Sequence, residues 1–246
     1  MPFETFQQLV AWNPPKPVQW IANDILAEEY KICIFGGPKM MKSILAQQTA
    51  MCLAADIPWL GYRVTQCRVM YLQGEITKYG FRLRVVKMAS NLGKAIPLDS
   101  LYFDSSFMFK LDRKSDIDRL RKDIARFNPK VLIIDPWYKM LSTEDNRAYD
   151  ATKDVMDSLI ADFGISVIMV HHDTVPKTDV NGKVIKTFHP RGPRTIEGWF
   201  DTLIQIDGNI DSDIRTLIFE TRHGESLIRP MTIELDRSAL WLKLAP

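Results

Sequence analysis

Residues 36–43 read GGPKMMKS and directly follow the apolar run YKICIF at residues 30–35. The spacing from Gly36 to Lys42 and Ser43 is that of the pattern GxxxxGK[ST], except that Met41 stands where the second glycine belongs. A strand that runs into a glycine-rich turn and then a helix aims several backbone N–H groups and the positive end of the helix dipole at one point, which makes an anion site. In such a loop Lys42 is expected to reach the β- and γ-phosphates of a nucleotide, and the Ser43 hydroxyl to ligate Mg²⁺. Glycine suits position 41 because the backbone comes close to the phosphates in a conformation costly for other residues. A flexible methionine is expected to point away, weakening binding without abolishing it. The bland alternative is a glycine turn that merely ends a strand.

Outward from this stretch the chain alternates. KSILAQQTAMCLAAD (42–56) reads as a helix, RVMYLQGE (68–75) as a strand ending in Glu75, and TKYGFRLRVVKMASNLG (77–93) as a helix ending near Gly93. SLYFDSS (100–106) reads as a short strand; in SDIDRLRKDIARF (115–127), Ile117, Leu120, Ile124 and Phe127 recur at spacings of 3, 4 and 3, so one helical face is apolar. KVLIID (130–135) and ISVIMVHHD (165–173) read as strands on either side of the helix DATKDVMDSLIADFG (150–164). Strands that are near-continuous apolar runs, alternating with helices, define an α/β fold with a mainly parallel central sheet covered on both faces. After residue 200 the short runs TLIQID, TLIFET, MTIELD and ALWLKL predict antiparallel strands at one sheet edge.

Length and composition fit one such domain. The 246 residues are 46% hydrophobic and 25% charged, as in ordinary globular proteins. A net charge of +2 excludes a polycation, so any nucleic-acid surface must be local. Cys33, Cys52 and Cys67 lie far apart without metal-ligand spacing, which points to buried thiols in a reducing compartment. The start MPFETFQQLV lacks the basic-then-apolar order of a signal peptide, and no apolar run approaches the ~18 residues of a membrane span. A cytoplasmic protein with no membrane partner is expected. Residues 1–28, with NPPKP at 13–17, predict an extended N-terminal arm whose Trp12 and Trp20 pack on their own domain or a neighbouring subunit; residues 29–246 form the domain.

Asp135, closing the apolar strand of KVLIIDPW, is placed to hold the hydration shell of a magnesium ion, and Glu75 and the pair His171 and His172 also stand at strand ends. The order GGPKMMKS, YLQGE, LIIDP, VHHD, RGPRTIEGWFD resembles that of RecA-like phosphate-loop ATPases of the RepA and DnaB helicase group, from about Trp20 to the C-terminus. The resemblance implies a RecA-like core, ATP with Mg²⁺, and a homo-oligomer, a hexameric ring or a filament, with ATP between subunits. It implies nucleotide contacts from Gly36, Gly37, Pro38, Lys39, Met40, Met41, Lys42, Ser43 and Ile44. It makes Glu75 the carboxylate that polarises the attacking water, Ser43 and Asp135 the metal-linked pair, and His171 or His172 the γ-phosphate sensor. FETRHGE (219–225) is similar to the family's K-x-R-x-G, whose basic residues reach the ATP of the next subunit; Arg222 and Gly224 match, while Glu220 occupies the lysine position. Catalytic charge from the neighbour then rests on Arg222 alone, and a slow ATPase is expected.

Residues 174–195, TVPKTDVNGKVIKTFHPRGPRT, carry Lys177, Lys183, Lys186, Arg191 and Arg194 against Asp179 alone. Loops of this length inside a domain are usually functional or disordered. In RecA-like assemblies the loop in this place faces DNA, so single-stranded DNA is the implied partner, bound through its phosphates; the alternative is a solvated loop. The second basic stretch KYGFRLRVVK, with Lys78, Arg82, Arg84 and Lys87, reads as a solvated helix face, with a DNA contact as the lesser alternative. Three functions stay open on sequence alone: a DNA-dependent helicase, translocase or recombination ATPase; an ATP-binding regulator that assembles on DNA; and a small-molecule kinase, for which no second-substrate pocket is visible.

Overall fold

The computed structural model describes residues 3–105, 108–173, 177–178, 184–185, 190, 194–222 and 228–246. Helix α1 (Phe6–Ala11) opens the chain, followed by the short antiparallel pair β1 (Gln19–Ile21) and β2 (Leu26–Ala27). The domain continues with β3 (Lys31–Gly36), α2 (Lys42–Ala55), β4 (Val69–Gln73), α3 (Lys78–Ala89), β5 (Leu101–Asp104), α4 (Lys114–Phe127), β6 (Val131–Asp135), α5 (Asn146–Phe163) and β7 (Ser166–His172). A small hairpin of β8 (Lys177–Thr178) and β9 (Val184–Ile185) precedes β10 (Thr202–Asp207), β11 (Ile214–Thr221), β12 (Met231–Asp236) and β13 (Trp241–Leu244).

Among the described residues the main sheet holds nine strands in the order β13-β12-β11-β10-β3-β7-β6-β4-β5. Every pair from β10 to β5 is parallel, and β10 through β13 pair antiparallel, as the alternation and the C-terminal strand runs predict. Because successive strand side chains point to opposite faces, each buried strand feeds two cores. Ile32, Ile34, Tyr71, Ile133 and Val170 meet α2 and α3, whereas Cys33, Phe35, Leu72, Ile134 and Met169 meet α4 and α5. The same parity decides which strand-end side chains can face the turn after β3.

The N-terminal segment differs from the expected extended arm in two respects. Residues 6–11 form a helix because Thr5 and Gln8 make a reciprocal capping box just ahead of the prolines. The exposed part ends at Val18; Trp20, Ile21, Ile25 and Leu26 are core residues, and the Trp20 indole donates to Ser166 Oγ at 3.1 Å. Trp12 is exposed and α1 buries none of its residues in its own domain. At the other end of the chain, the Gln48 carboxamide donates to the Leu242 carbonyl at 2.9 Å and accepts from the Leu242 N–H at 2.7 Å, tying α2 to β13. No helix among the described residues is long and apolar enough to cross a membrane.

Candidate functional site

The turn between β3 and α2 lies at the C-terminal end of the parallel strands. Gly36 is required there by crowding, since a Cβ on it would meet the Ile206 carbonyl oxygen of β10 at 2.6 Å. Met41 caps α2 with φ 64° and ψ 15°, in the left-handed region, without a side-chain capping bond. This is the backbone conformation for which glycine is the usual residue, and L-residues adopt it at a cost of roughly 1–2 kcal/mol. Lys39 is also left-handed, at φ 58°. Lys42 turns its ammonium back over the loop, donating to the Gly36 carbonyl at 3.0 Å and the Gly37 carbonyl at 2.7 Å. Burial lowers its pKa below the ordinary lysine value, against the opposing pull of Asp135, Glu75 and Asp173.

Around this turn is a cavity of about 620 Å³ whose walls include Lys39, Met40, Met41, Lys42, Ser43 and Ile44. Asp135 reaches it from β6. The Ser43 hydroxyl donates to Asp135 Oδ1 at 2.9 Å, and the Tyr71 hydroxyl donates to Oδ2 at 2.5 Å. Burial pushes the Asp135 carboxyl up to about 6; the hydrogen bonds from Tyr71 and Ser43 oppose this, Glu75 adds to it, and Arg84 opposes it. Glu75 is exposed on the cavity rim. Its turn is fixed by buried Gln73, whose Oε1 accepts from the N–H groups of Glu75 and Ile76 at 2.7 and 2.8 Å.

The two histidines separate by strand parity. His172 lines the cavity, with its ring 4.9 Å from that of Tyr138, whereas His171 is fully buried on the other face, against Trp137 and Tyr149. Of the two, His172 alone faces the cavity at the β3–α2 turn. Arg222 is not part of this cavity. It follows β11, beside Asp201, pairing with that carboxylate at 3.7 Å and donating to the Gly198 carbonyl. Lys183, Lys186, Arg191 and Gly224 lie outside the described residues. Lys177 is in β8, and Arg194 begins a short 3-10 helix ending at Trp199. The basic segment is rooted at a bridge between Asp173 and Pro190, one residue beyond His172.

Several cavity residues escape a reading of motifs. Arg84 of α3, read above as part of a solvated face, lines the cavity near Asp135. A signal was present: it lies three residues after buried Phe81 and four before buried Met88, on the inward stripe of the helix. Ile210, Arg237 and Leu240, from the β10–β11 and β12–β13 turns, and Arg215 of β11 and Leu235 of β12 also line the cavity. The donor set suits a magnesium nucleotide: a serine hydroxyl and a carboxylate together, a lysine over the turn, and a helix N-terminus without its own side-chain cap.

Comparison with known proteins agrees with this fold. A family model described as AAA domain matches residues 2–177, and the chain belongs to that family. Its fold is that of RecA-like phosphate-loop ATPases, as the resemblance to the RepA and DnaB group implies. Among solved structures it is similar to a KaiC-like protein, PH0186, from the hyperthermophilic archaeon Pyrococcus horikoshii OT3. That match has a TM-score of 0.66 and 14% identity, over 95% of this chain and 100% of the other. It is also similar to the RadB recombinase, with a TM-score of 0.60 and 14% identity, over 89% of this chain and 92% of that one. No curated protein matches the chain by sequence.

Proposed function

We propose that the chain binds ATP with magnesium at the β3–α2 turn, hydrolyses it slowly, and acts on single-stranded DNA as a cytoplasmic homo-oligomer. The observation that carries this reading is the joined pair Ser43–Asp135 beside Lys42 folded over the Gly36 and Gly37 carbonyls. Lys42 is poised to exchange those carbonyls for phosphate oxygens, and the α2 N-terminus supplies unpaired amides to the same point. Ser43 and Asp135 would hold the metal, which when bound supplies charge neutralisation at the phosphates. Glu75 would orient the attacking water from the rim, His172 would sense the γ-phosphate, and Arg84 would add positive charge from the same subunit. Arg222 would serve the nucleotide of a neighbouring subunit. The RadB recombinase among the structural relatives accords with work on DNA.

A second reading, an ATP-binding regulator without useful turnover, is favoured by Met41 in a strained backbone conformation and by Glu220 in the lysine position. Calorimetric titration of ATP with Mg²⁺ into the parent and Lys42→Ala proteins tests binding, and turnover with and without single-stranded DNA separates the two readings. Loss of ATP binding in Lys42→Ala is expected; equal binding would reduce the stretch to a turn. Replacing Lys183, Lys186 and Arg191 with Ala should weaken DNA binding and flatten its salt dependence, by about one unit of slope per lost phosphate contact at most.

A further inference from the structure

Tyr71 opens the YLQGE stretch without a role of its own in the resemblance, yet it holds the Asp135 carboxylate. It is fully buried on β4, on the same strand face as Gln73 and four residues before Glu75. Its ring is fixed between Phe81 and Phe103, with centroids 5.8 and 5.9 Å away. From there the hydroxyl donates to Asp135 Oδ2 at 2.5 Å, while Ser43 donates to Oδ1 at 2.9 Å. The carboxylate torsion of an aspartate is broad and two-fold, so nothing within the side chain itself decides which oxygen faces the cavity. Gln47, one turn beyond Ser43 on α2 and buried, approaches the same phenol without a well-formed hydrogen bond to any group. It also lines the cavity.

We propose that Tyr71 is a positioning residue for magnesium binding: by occupying Oδ2 it turns Asp135 so that Oδ1 is presented beside Ser43. The inference rests on the nucleotide reading above. Tyr71→Phe removes one oxygen and keeps the ring in its aromatic cluster. It frees the carboxylate to rotate and leaves Oδ2 without its partner in a buried place.

The test is calorimetric titration of ATP into parent and Tyr71→Phe proteins across a magnesium series and in EDTA. The Mg²⁺ concentration giving half the full ATP affinity should rise roughly tenfold in the variant, the weight of one hydrogen bond to a charged group. ATP binding in EDTA should stay within about twofold of the parent. A merely structural role would lower both equally, and an unchanged magnesium requirement would also overturn the proposal. Should the variant fail to fold, 3-fluorotyrosine placed at position 71 alone gives a second readout. Its fluorine resonance should move when Mg²⁺ is added to the ATP complex, and a fixed resonance counts against the proposal. ATP binding in the parent that ignores Mg²⁺ would overturn this inference alone, whereas a parent protein that binds no ATP at any Mg²⁺ concentration would sink the nucleotide reading and this inference with it.

Discussion

Arg222 and Lys42 stand at opposite ends of the central sheet. Thr221, next to Arg222, pairs with Thr202, which pairs with Ile32 near the start of β3, while Lys42 follows the turn at the end of that strand. Four or five residues of strand separate the two levels, roughly 15 Å at the usual rise. An arginine there does not serve the cavity of its own subunit, so its proposed partner is a neighbour's nucleotide. Mixing Arg222→Ala with Lys42→Ala subunits should restore turnover that neither has alone, because some interfaces then carry two intact halves. Fingers acting in trans contribute roughly 10³–10⁵ in rate, and Glu220 argues for the lower end. No recovery at any mixing ratio would count against the assembly.

Glu75 owes its place to Gln73, which clamps the backbone of the turn from below. Glu75→Gln leaves that clamp intact and removes only the charge. Turnover should fall by about 10²–10⁴-fold with ATP affinity nearly unchanged, as for a positioned general base. Unaltered turnover would take this role away from Glu75.

Met41→Gly should stabilise the protein. Relief of the left-handed strain is worth roughly 1–2 kcal/mol, and the added freedom of glycine in the unfolded chain returns about 0.5–1 kcal/mol of it. A net gain of up to about 1.5 kcal/mol should appear as a higher urea midpoint at constant m-value. A destabilised glycine variant would show that the methionine side chain contributes packing that outweighs its backbone strain.

Asp135 gives the fold a pH signature. Its carboxyl titrates near 6 in the folded protein, against an ordinary value of 3.8. Between those values the folded state holds more protons than the unfolded one, so stability falls as pH rises through about 4–6 and levels off above. Asp135→Asn lacks this dependence. In EDTA and without nucleotide, urea denaturation at pH 4.5 and 7.0 should show the asparagine variant gaining on the parent by about 2 kcal/mol at the higher pH. Parallel pH profiles would argue that the carboxylate is better solvated than its burial implies.

The parts of this site written locally were legible in the sequence. The β3–turn–α2 unit, the aspartate ending β6 and the C-terminal antiparallel strands each announce themselves within about ten residues. What was hidden depends on facing. In a near-continuous apolar strand such as VMYLQ, Tyr71 reads as one more buried residue, and only the sheet order, β4 beside β6, brings its hydroxyl to Asp135. His171 and His172 are equivalent in sequence and differ only in strand parity. Arg84 was masked by the basic residues around it, and Arg215 reaches the cavity from β11, more than 170 residues beyond the phosphate loop. The helix at 6–11 was overlooked because the prolines after it dominate the composition of the segment.

The Gln48 contact has a bearing on how the molecule keeps to itself. β13 is an outer strand of the sheet, and such strands normally present unpaired N–H and C=O groups on which another chain can template itself. At Leu242 both groups are already engaged by the Gln48 carboxamide, which imitates the backbone of a missing neighbour. The margin of the sheet is thus closed from beneath by the helix that carries the phosphate loop. Aggregation by strand addition is discouraged at that point, and copies of the chain that associate must do so through side-chain surfaces rather than by extending the sheet at Leu242.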